Sequence, residues 1–333
     1  MQGAGSVGGL IGGRLVAAGH DVTFVTGNSK ITRAINEAGL KLRHEHSEVA
    51  VAAQAYTNVA ALPDKQEFDI ICLAMMAQHS VDAMRASLER STDQGVVITF
   101  QNGIVIDVIS EICGVENLIP STLAFGMTME APGEYRLTTN GSIIIGELNG
   151  HTTQRTQSIQ AIFNDAIKTI VSPNILGVLW GKLLWNASVS AVCALTNRKL
   201  GDVCADPTTQ SIIISAYREA VETAQGLGVV LEKVVVDYRT LYVPHGSDEQ
   251  AARQLLTSFK DKYAAVVPST SQSLNKGKVT EIDYLNGYVA DKARELHRPA
   301  VLHERLTSRI KEIERGEREI SRRNLDDILA GLT

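Results

Sequence analysis

An ionisable lysine interrupts a strongly apolar stretch of the chain, Trp180-Gly181-Lys182-Leu183-Leu184-Trp185-Asn186-Ala187-Ser188-Val189-Ser190. Residues four apart share one face of an α-helix, so Lys182, Asn186 and Ser190 are expected to form a narrow polar stripe on a helix that is otherwise core. Burial would lower the pKa of such an amine from its ordinary value of about 10.4. A lysine with a lowered pKa is suited to donating a proton near neutral pH.

A glycine motif opens the chain. Gly3-Ala4-Gly5-Ser6-Val7-Gly8 matches GxGxxG, a helical pattern follows as far as Gly19, and a strand pattern covers 20–25. This order predicts a dinucleotide site in which the backbone of residues 3–8 approaches a pyrophosphate at a helix N-terminus. A glycine-rich turn without a ligand gives the same six letters. Only Met1 and Gln2 precede the motif, so the first strand of a Rossmann unit is expected to be truncated or supplied in an unusual way.

The end of the second predicted strand indicates which cofactor is plausible. An acidic residue there would bind the ribose hydroxyls of NAD, and none is present in Thr26-Gly27-Asn28-Ser29-Lys30. Lys30, with Arg33 close behind, suits the 2'-phosphate of NADP(H) better. The alternative for Lys30 is a solvated loop position.

Short apolar runs alternate with a helical pattern further along the first half. The runs 68–74 and 96–100 flank a helical stretch at 77–90, which favours a parallel sheet covered by helices. Asn102 follows the second run, at the strand end where ligands bind in such sheets; an Asn-Gly turn is the alternative. From 117 to 147 the turn signals Pro132-Gly133 and Asn140-Gly141 predict short antiparallel strands.

The second half reads as almost wholly helical. The sequence therefore predicts an α/β fold with an N-terminal Rossmann-type parallel sheet, 1–172, and an all-α C-terminal domain for substrate and catalysis, 173–333. The predicted helices cover 175–200, 208–227, 231–242, 248–263, 280–297, 300–314 and 317–329.

Composition limits the partners. The chain has 333 residues, 44% of them hydrophobic, and a formal charge of −5, which gives no general electrostatic reason to bind nucleic acid or an anionic membrane. Four cysteines lack metal-ligand spacing, so we expect free thiols in a cytoplasmic protein, with no disulfide and no bound metal. No signal peptide is visible. The oligomeric state stays open, with a homodimer among the alternatives.

Polar residues cluster again at Pro268-Ser269 and at Thr280-Glu281-Ile282-Asp283. The carboxylates of Glu281 and Asp283 could belong to a site. In the alternative, Thr280 is an N-cap and the acids complement the dipole of the following helix. The charged tail beyond Arg305 reads as a solvated helix face and receives no catalytic role.

Taken together, these motifs resemble the ketopantoate reductase (2-dehydropantoate 2-reductase) family, whose C-terminal domain is 6-phosphogluconate-dehydrogenase-like. The resemblance runs from Gly3 to about Leu302. Its most specific parts are listed in chain order: Gln101-Asn102-Gly103, Lys182-Leu183-x-x-Asn186 followed by Ala194-Leu195-Thr196, and Pro268-Ser269 through Gly277 to Thr280-Glu281-Ile282-Asp283 with Asn286-Gly287.

The resemblance implies NADPH-dependent reduction of 2-dehydropantoate to (R)-pantoate. Lys182 would be the general acid that protonates the carbonyl oxygen, and Asn102 would lie near both the nicotinamide and the lysine. Asn186 and Glu281 would hold the substrate hydroxyl, with Glu281 counted as catalytic. A nearby Glu281 carboxylate would also oppose the lowering of the Lys182 pKa by burial, and the sequence leaves open which of the two effects is larger. Ser269 would lie near the substrate carboxylate.

Several positions depart from the family pattern. Ser190 replaces a second helix asparagine and is expected to bind substrate in its place, Ser273 replaces an acidic residue, and Lys278 replaces an arginine. Gly27 and Met76 stand at two positions where the family usually has a basic residue. These departures leave two alternatives open: a related reductase of another branched 2-oxo acid, or a non-catalytic NADP-binding homologue.

Overall fold

The computed structural model describes residues 1–330. It divides the chain into two compact units, one formed by Met1–Gln101 with Val105–Ile175, the other by Asn102–Ile104 with the chain from Leu176 onward. The strands are β1 Thr23–Val25, β2 Leu40–His44, β3 Ser47–Val51, β4 Gln54–Tyr56, β5 Phe68–Leu73, β6 Ser91–Thr99, β7 Leu118–Leu123, β8 Gly126–Ala131, β9 Glu134–Thr139, β10 Ile143–Ile145 and β11 Thr169–Val171.

The helices alternate with strands in the first unit and dominate the second, which confirms the predicted fold class. Those of the first unit are α1 Ser6–Ala17, α2 Ser29–Ala38, α3 Ser80–Leu88, α4 Ile106–Cys113 and α5 Gln154–Asn164. The others are α6 Ile175–Thr196, α7 Leu200–Ala205, α8 Pro207–Gly226, α9 Tyr238–Leu241, α10 Gln250–Lys262, α11 Ser269–Asn275, α12 Asn286–Glu295, α13 Val301–Glu314 and α14 Asn324–Leu329.

The main sheet of the first unit has a parallel centre. Strands β5, β6 and β7 pair in parallel, β10 adds antiparallel to β7, and β11 pairs parallel with β10. Strand β1 pairs in parallel with β4. Buried aliphatic side chains such as Ile71, Val97 and Ile98 fill the centre of this sheet, as is usual where helices cover both faces.

Met1 and Gln2 take the place of a first strand between β1 and β5. The backbone N–H of Gln2 donates to Cys72 O at 2.8 Å, and its carbonyl oxygen accepts from Ala74 N at 2.7 Å. On the other side, Val25 N donates to the carbonyl oxygen of Met1 at 2.9 Å. This two-residue segment therefore joins the β1–β4 pair to the strands beginning with β5, immediately before the glycine motif.

A second sheet has four strands in the order β3-β2-β9-β8. The sequence did not predict its first two strands, β2 and β3. Strand β3 is largely exposed, so it lacks the alternation that signals a half-buried strand. The predicted antiparallel turn at Pro132-Gly133 is present and joins β8 to β9. Within this sheet Tyr135 is fully buried.

Helix α6 is the core helix of the second unit. Leu183, Leu184, Trp185 and Val189 are each at most 4% exposed. By length and hydropathy α6 could cross a membrane, but 89% of its most apolar window is buried inside the protein. The helix ends sooner than the predicted boundary because Asn197 adopts a left-handed conformation, φ 50°, which terminates helices.

Other helix predictions were wrong in part. Only Tyr238–Leu241 of the segment 231–242 is helical, and α12 begins at Asn286 rather than at 280 because 282–284 forms a 3-10 turn. Helix α11 was not predicted at all. The four cysteines of the chain are buried free thiols.

Candidate active site

The glycine motif forms the turn between Gln2 and α1. Gly3 has φ +95°, and a Cβ there would lie 2.9 Å from the backbone of Ala74. A Cβ on Gly8 would lie 2.0 Å from the carbonyl oxygen of Gly3. These two positions therefore require glycine for the turn itself.

Gly5 differs from these two glycines. It is the N-cap of α1 with φ −73°, and a Cβ there would meet no atom within 4 Å. Open space at a helix N-terminus, where backbone N–H groups lack intrahelical partners, suits an anion such as a pyrophosphate. The residues present thus fit the phosphate end of a dinucleotide cofactor.

The β8–β9 hairpin braces this turn, which sequence reasoning missed. The hydroxyl of Tyr135 donates to the carbonyl oxygen of Ala4 at 2.7 Å, and Met129 N donates to Ser6 Oγ at 3.1 Å. A Cβ on Gly9 would lie 2.0 Å from the Tyr135 ring, so glycine at that position lets the ring pack on α1. The buried alternation of Tyr135 and Leu137 along β9 was the available signal.

The residues predicted to select NADP(H) lie at the start of α2. Asn28 is the N-cap, and its Oδ1 accepts hydrogen bonds from Lys30 N and Ile31 N. Both Lys30 and Arg33 are exposed. Lys30 lies in the first turn of the helix and Arg33 in the second, and both side chains are open to solvent, where a phosphate group could reach them.

Asn102 is half-buried and belongs to the second unit. The next residue, Gly103, has φ +79°, and a Cβ there would lie 2.2 Å from the carbonyl oxygen of Tyr284. Ile104 N donates to that same oxygen at 3.0 Å. The segment that carries Asn102 therefore packs against the segment that directly follows Glu281.

The polar stripe of α6 is present as predicted from the spacing. Lys182 and Asn186 are half-buried, and Ser190 is 7% exposed. Burial lowers the pKa of Lys182 to about 8, while the charge of Glu281 acts in the opposite direction. Desolvation of the amine is therefore the larger effect, a balance that the sequence alone left open.

Glu281 is 3% exposed and lies between two buried neighbours, Thr280 and Ile282. Asp283, in contrast, is exposed and forms an ion pair with Lys311. The N-cap interpretation of Thr280 was wrong, because helix α12 begins at Asn286 with Leu285 at its N-cap. The Thr280 hydroxyl instead accepts from Ile282 N at 3.2 Å, at the start of the 3-10 turn. Of the two acids, Glu281 is the one that the structure places close enough to influence the Lys182 amine.

The predicted carboxylate-binding residue, Ser269, is the first residue of α11 and is half-buried. Ser273, on the same helix, is buried. Thr270 and Ser271 are also buried, and neither hydroxyl has a hydrogen-bond partner in residues 1–330. Helix α11 thus concentrates hydroxyl groups in the second unit, which also contains Lys182.

Known protein families and curated proteins match most of the chain. The family model described as ketopantoate reductase PanE/ApbA matches residues 1–150, and the model of its C-terminal region matches 174–314. A 2-dehydropantoate 2-reductase from Pyrococcus abyssi is 28% identical, over 91% of this chain and 93% of its own length. One from Halobacterium salinarum is 26% identical, over 89% and 91%.

Solved structures share the fold. A PanE/ApbA family ketopantoate reductase from Ralstonia eutropha JMP134 superposes with a TM-score of 0.80 at 23% identity, covering 96% of this chain and 100% of its own. A D-mandelate dehydrogenase with NADH and anilino(oxo)acetate gives a TM-score of 0.81 at 20% identity, covering 95% and 99%. Because two consecutive models of one family together span most of the sequence, the chain belongs to the ketopantoate reductase family of oxidoreductases.

Proposed function

We propose that this protein reduces 2-dehydropantoate to (R)-pantoate with NADPH, and that Lys182 is the general acid. The observation that carries the proposal is a lysine amine on the core helix α6 whose pKa burial lowers to about 8. Such an amine is mostly protonated at pH 7, yet it releases its proton more readily than an ordinary lysine.

The chemical role of Lys182 follows from this charge. As the ketone is reduced, negative charge develops on its carbonyl oxygen, and an ammonium group aimed at that oxygen stabilises the charge. Proton transfer from Nζ to the oxygen then completes the alcohol. The negative charge of Glu281 favours the protonated form of Lys182. Glu281 would also hold the substrate hydroxyl.

Most of the residues assigned to the cofactor belong to the first unit, and Asn102 belongs to the second. When bound, NADPH supplies the hydride that reduces the carbonyl carbon. Residues 3–8 would hold its pyrophosphate, as the open space at Gly5 supports. Lys30 would bind the 2'-phosphate, and Asn102 would contact the nicotinamide end.

The remaining substrate contacts follow the family pattern. Asn186 and Ser190 lie four residues apart on α6, on the stripe that carries Lys182. Ser269, on α11, would bind the substrate carboxylate. We place the enzyme in the cytoplasm, in keeping with its four buried free thiols.

The direct test is oxidation of NADPH, followed by its absorbance, with purified protein and 2-dehydropantoate, and repeated with NADH. Saturable turnover with a preference for NADPH would support the proposal. Saturable NADPH binding without turnover of any 2-oxo acid would overturn it in favour of a non-catalytic homologue.

A second candidate is a related reductase of another branched 2-oxo acid. Two buried residues favour it, since Ser190 and Ser273 stand where the family resemblance expects an asparagine and an acid. Both replacements shorten polar side chains and would enlarge or neutralise a substrate pocket. In a panel of 2-oxo acids, equal or better kcat/KM for a substrate other than 2-dehydropantoate would select this alternative.

A further inference from the structure

The end of helix α13 contacts the segment that carries Glu281. One carboxylate oxygen of Glu314, Oε1, accepts two hydrogen bonds from Thr280, from its backbone N–H at 2.8 Å and from its hydroxyl at 2.7 Å. One turn earlier on the same helix, Lys311 pairs with Asp283. The sequence pattern predicts only a solvated helix face for this part of the chain.

These contacts fix the backbone on both sides of Glu281. Thr280 is 1% exposed and Ile282 is fully buried. The Thr280 hydroxyl donates to Glu314 and accepts from Ile282 N, so one side chain links the helix to the 3-10 turn. Hydrogen bonds to a charged acceptor are stronger than neutral ones, which suits Glu314 as an anchor.

A second link from α13 reaches the lysine helix. His303 Nδ1 accepts from Asn286 Nδ2 at 3.1 Å, and the same amide donates to the carbonyl oxygen of Ala187 at 2.8 Å. Ala187 follows Asn186 on α6. Glu314, near the C-terminal end of α13, therefore contacts the segment that carries Glu281. His303, near the N-terminal end of α13, is linked through Asn286 to the helix that carries Lys182.

We propose that Glu314 is a positioning residue which, through Thr280, holds the Glu281 carboxylate at a fixed place relative to the Lys182 amine. The inference rests on the proposed roles of Lys182 and Glu281. Coulomb energy varies with the separation of the charges, so loosening Glu281 would weaken its hold on the lysine proton. The charged groups near Glu281 that also act on the Lys182–Glu281 pair are Asp283, Lys311 and Glu314.

The test compares Glu314→Ala with Glu314→Gln. Alanine removes the acceptor, whereas glutamine keeps an oxygen that can accept both hydrogen bonds from Thr280 but removes the charge. The first readout is the pKa of Lys182 in protein with lysines labelled at Cε with 13C, measured by NMR titration and assigned with Lys182→Ala. The second is the pH dependence of kcat/KM, which reports ionisations of the free enzyme. Glu317→Ala, a half-exposed neighbour that pairs with Arg315, is the matched control.

In Glu314→Ala the pKa of Lys182 should fall, by about half a unit or more, towards the limit set by Glu281→Gln. Glu314→Gln and Glu317→Ala should leave it near the wild-type value. Equal shifts in the alanine and glutamine variants would mean that Glu314 acts only as a charge and would overturn the proposal, as would no shift in Glu314→Ala.

A second pair keeps the test decisive if Glu314→Ala does not fold. Thr280→Ser retains the hydroxyl, whereas Thr280→Ala removes it and keeps only the backbone hydrogen bond to Glu314. The alanine variant should therefore lower the pKa of Lys182, by less than Glu314→Ala does, and the serine variant should leave it unchanged. The NMR titration needs no substrate. Failure of wild-type protein to reduce any 2-oxo acid would therefore sink the proposed function, whereas an unchanged titration in an active enzyme would sink the positioning role alone.

Discussion

Tyr135 and Ala4 are 131 residues apart in sequence, and the tyrosine hydroxyl donates a hydrogen bond of 2.7 Å to the carbonyl oxygen of Ala4. Burial raises the pKa of Tyr135 to about 12, so the hydroxyl remains a donor throughout the neutral range. The bond ties a β-hairpin to the turn that we assign to the cofactor pyrophosphate.

Tyr135→Phe tests this brace, because it removes the hydrogen bond and leaves the ring that packs on Gly9. The lost bond is worth about 0.5–1.5 kcal/mol, so we expect the Kd for NADPH to rise roughly two- to tenfold with a small fall in Tm. Fluorescence titration and thermal unfolding measure the two effects. Tyr242→Phe, in the second unit, is the control. An unchanged Kd would show that the turn does not depend on the hairpin.

The glycines of the motif give a contrasting pair of variants. In Gly8→Ala the new Cβ would lie 2.0 Å from Gly3 O, so the turn must rearrange and stability should fall. In Gly5→Ala the Cβ meets nothing within 4 Å and φ is ordinary, so the protein should fold normally. The methyl group would nevertheless occupy the space assigned to the pyrophosphate, and we expect NADPH affinity to fall at least about tenfold.

Circular dichroism and Tm report folding, and NADPH titration reports binding. Normal NADPH affinity in Gly5→Ala would remove residues 3–8 from the cofactor site. Gly27→Ala is the control for folding, because a Cβ on Gly27 would also meet no atom within 4 Å and its φ is not positive. Gly228 is unsuitable as a control because its φ is +74°.

What the sequence predicted correctly is what local spacing determines. The period of the helix places Lys182, Asn186 and Ser190 on one stripe, and the glycine spacing alone predicts the turn before α1. The missed features depend on contacts between distant segments, such as Tyr135 with Ala4 and Glu314 with Thr280. No periodicity within either partner marks those contacts, because each depends on how whole elements pack.

The errors in secondary structure have similar causes. Strand β3 is exposed and gains its stability from pairing with β2, not from a buried face that would show as alternation. The segment 231–242 has a helical pattern, yet only its last part is helical. The direction of the Lys182 shift also required structure, since it depends on how much burial outweighs the charge of Glu281.

The proposed general acid predicts a specific pH dependence. Reduction needs protonated Lys182, and its pKa in the free protein is about 8, so kcat/KM should be steady below that pH and fall as pH rises through 8. In Glu281→Gln the opposing charge is absent and desolvation acts alone, so the inflection should move to lower pH. An inflection that moves upward in this variant would contradict the assigned pair.

Removing the amine should have a larger effect. Lys182→Ala is expected to lower kcat by about two to four orders of magnitude, the range for a positioned proton donor. NADPH affinity should stay close to wild type, because the residues assigned to the pyrophosphate and the 2'-phosphate, 3–8 and Lys30, belong to the other unit. Lys260→Ala, an exposed lysine on α10, controls for loss of positive charge. Near-normal turnover in Lys182→Ala would remove the mechanism.

Lys30 and Arg33 compete for the role of phosphate-binding cation. If Lys30 binds the 2'-phosphate, Lys30→Ala should raise KM for NADPH roughly three- to tenfold, as loss of one exposed charged contact would, and leave KM for NADH unchanged. Arg33→Ala should then have a smaller effect. Equal changes with both cofactors would show that Lys30 contacts no 2'-phosphate, and a larger effect of Arg33→Ala would assign the role to that residue.

The buried, neutral state of His303 should make the folded protein less stable on acidification. It is fully buried, its Nδ1 accepts from Asn286 Nδ2, and its Nε2 therefore carries the proton that is donated to the carbonyl oxygen of Ala216 at 2.8 Å. Burial lowers the pKa of His303 to about 4. Below pH 6.5 the unfolded chain takes up a proton that the folded protein does not, so this residue's contribution falls as pH drops from 6.5 towards 4.

Between pH 6.5 and pH 5, wild-type protein should lose roughly 1.5 kcal/mol of unfolding free energy that His303→Gln does not lose. Urea unfolding of both proteins at the two pH values measures this difference. Glu219, whose pKa burial raises to about 7, contributes with the opposite sign, but it is present in both proteins and cancels in the comparison. A histidine that titrates near pH 6.5 by NMR, or an equal pH dependence of the two proteins, would contradict the buried neutral state.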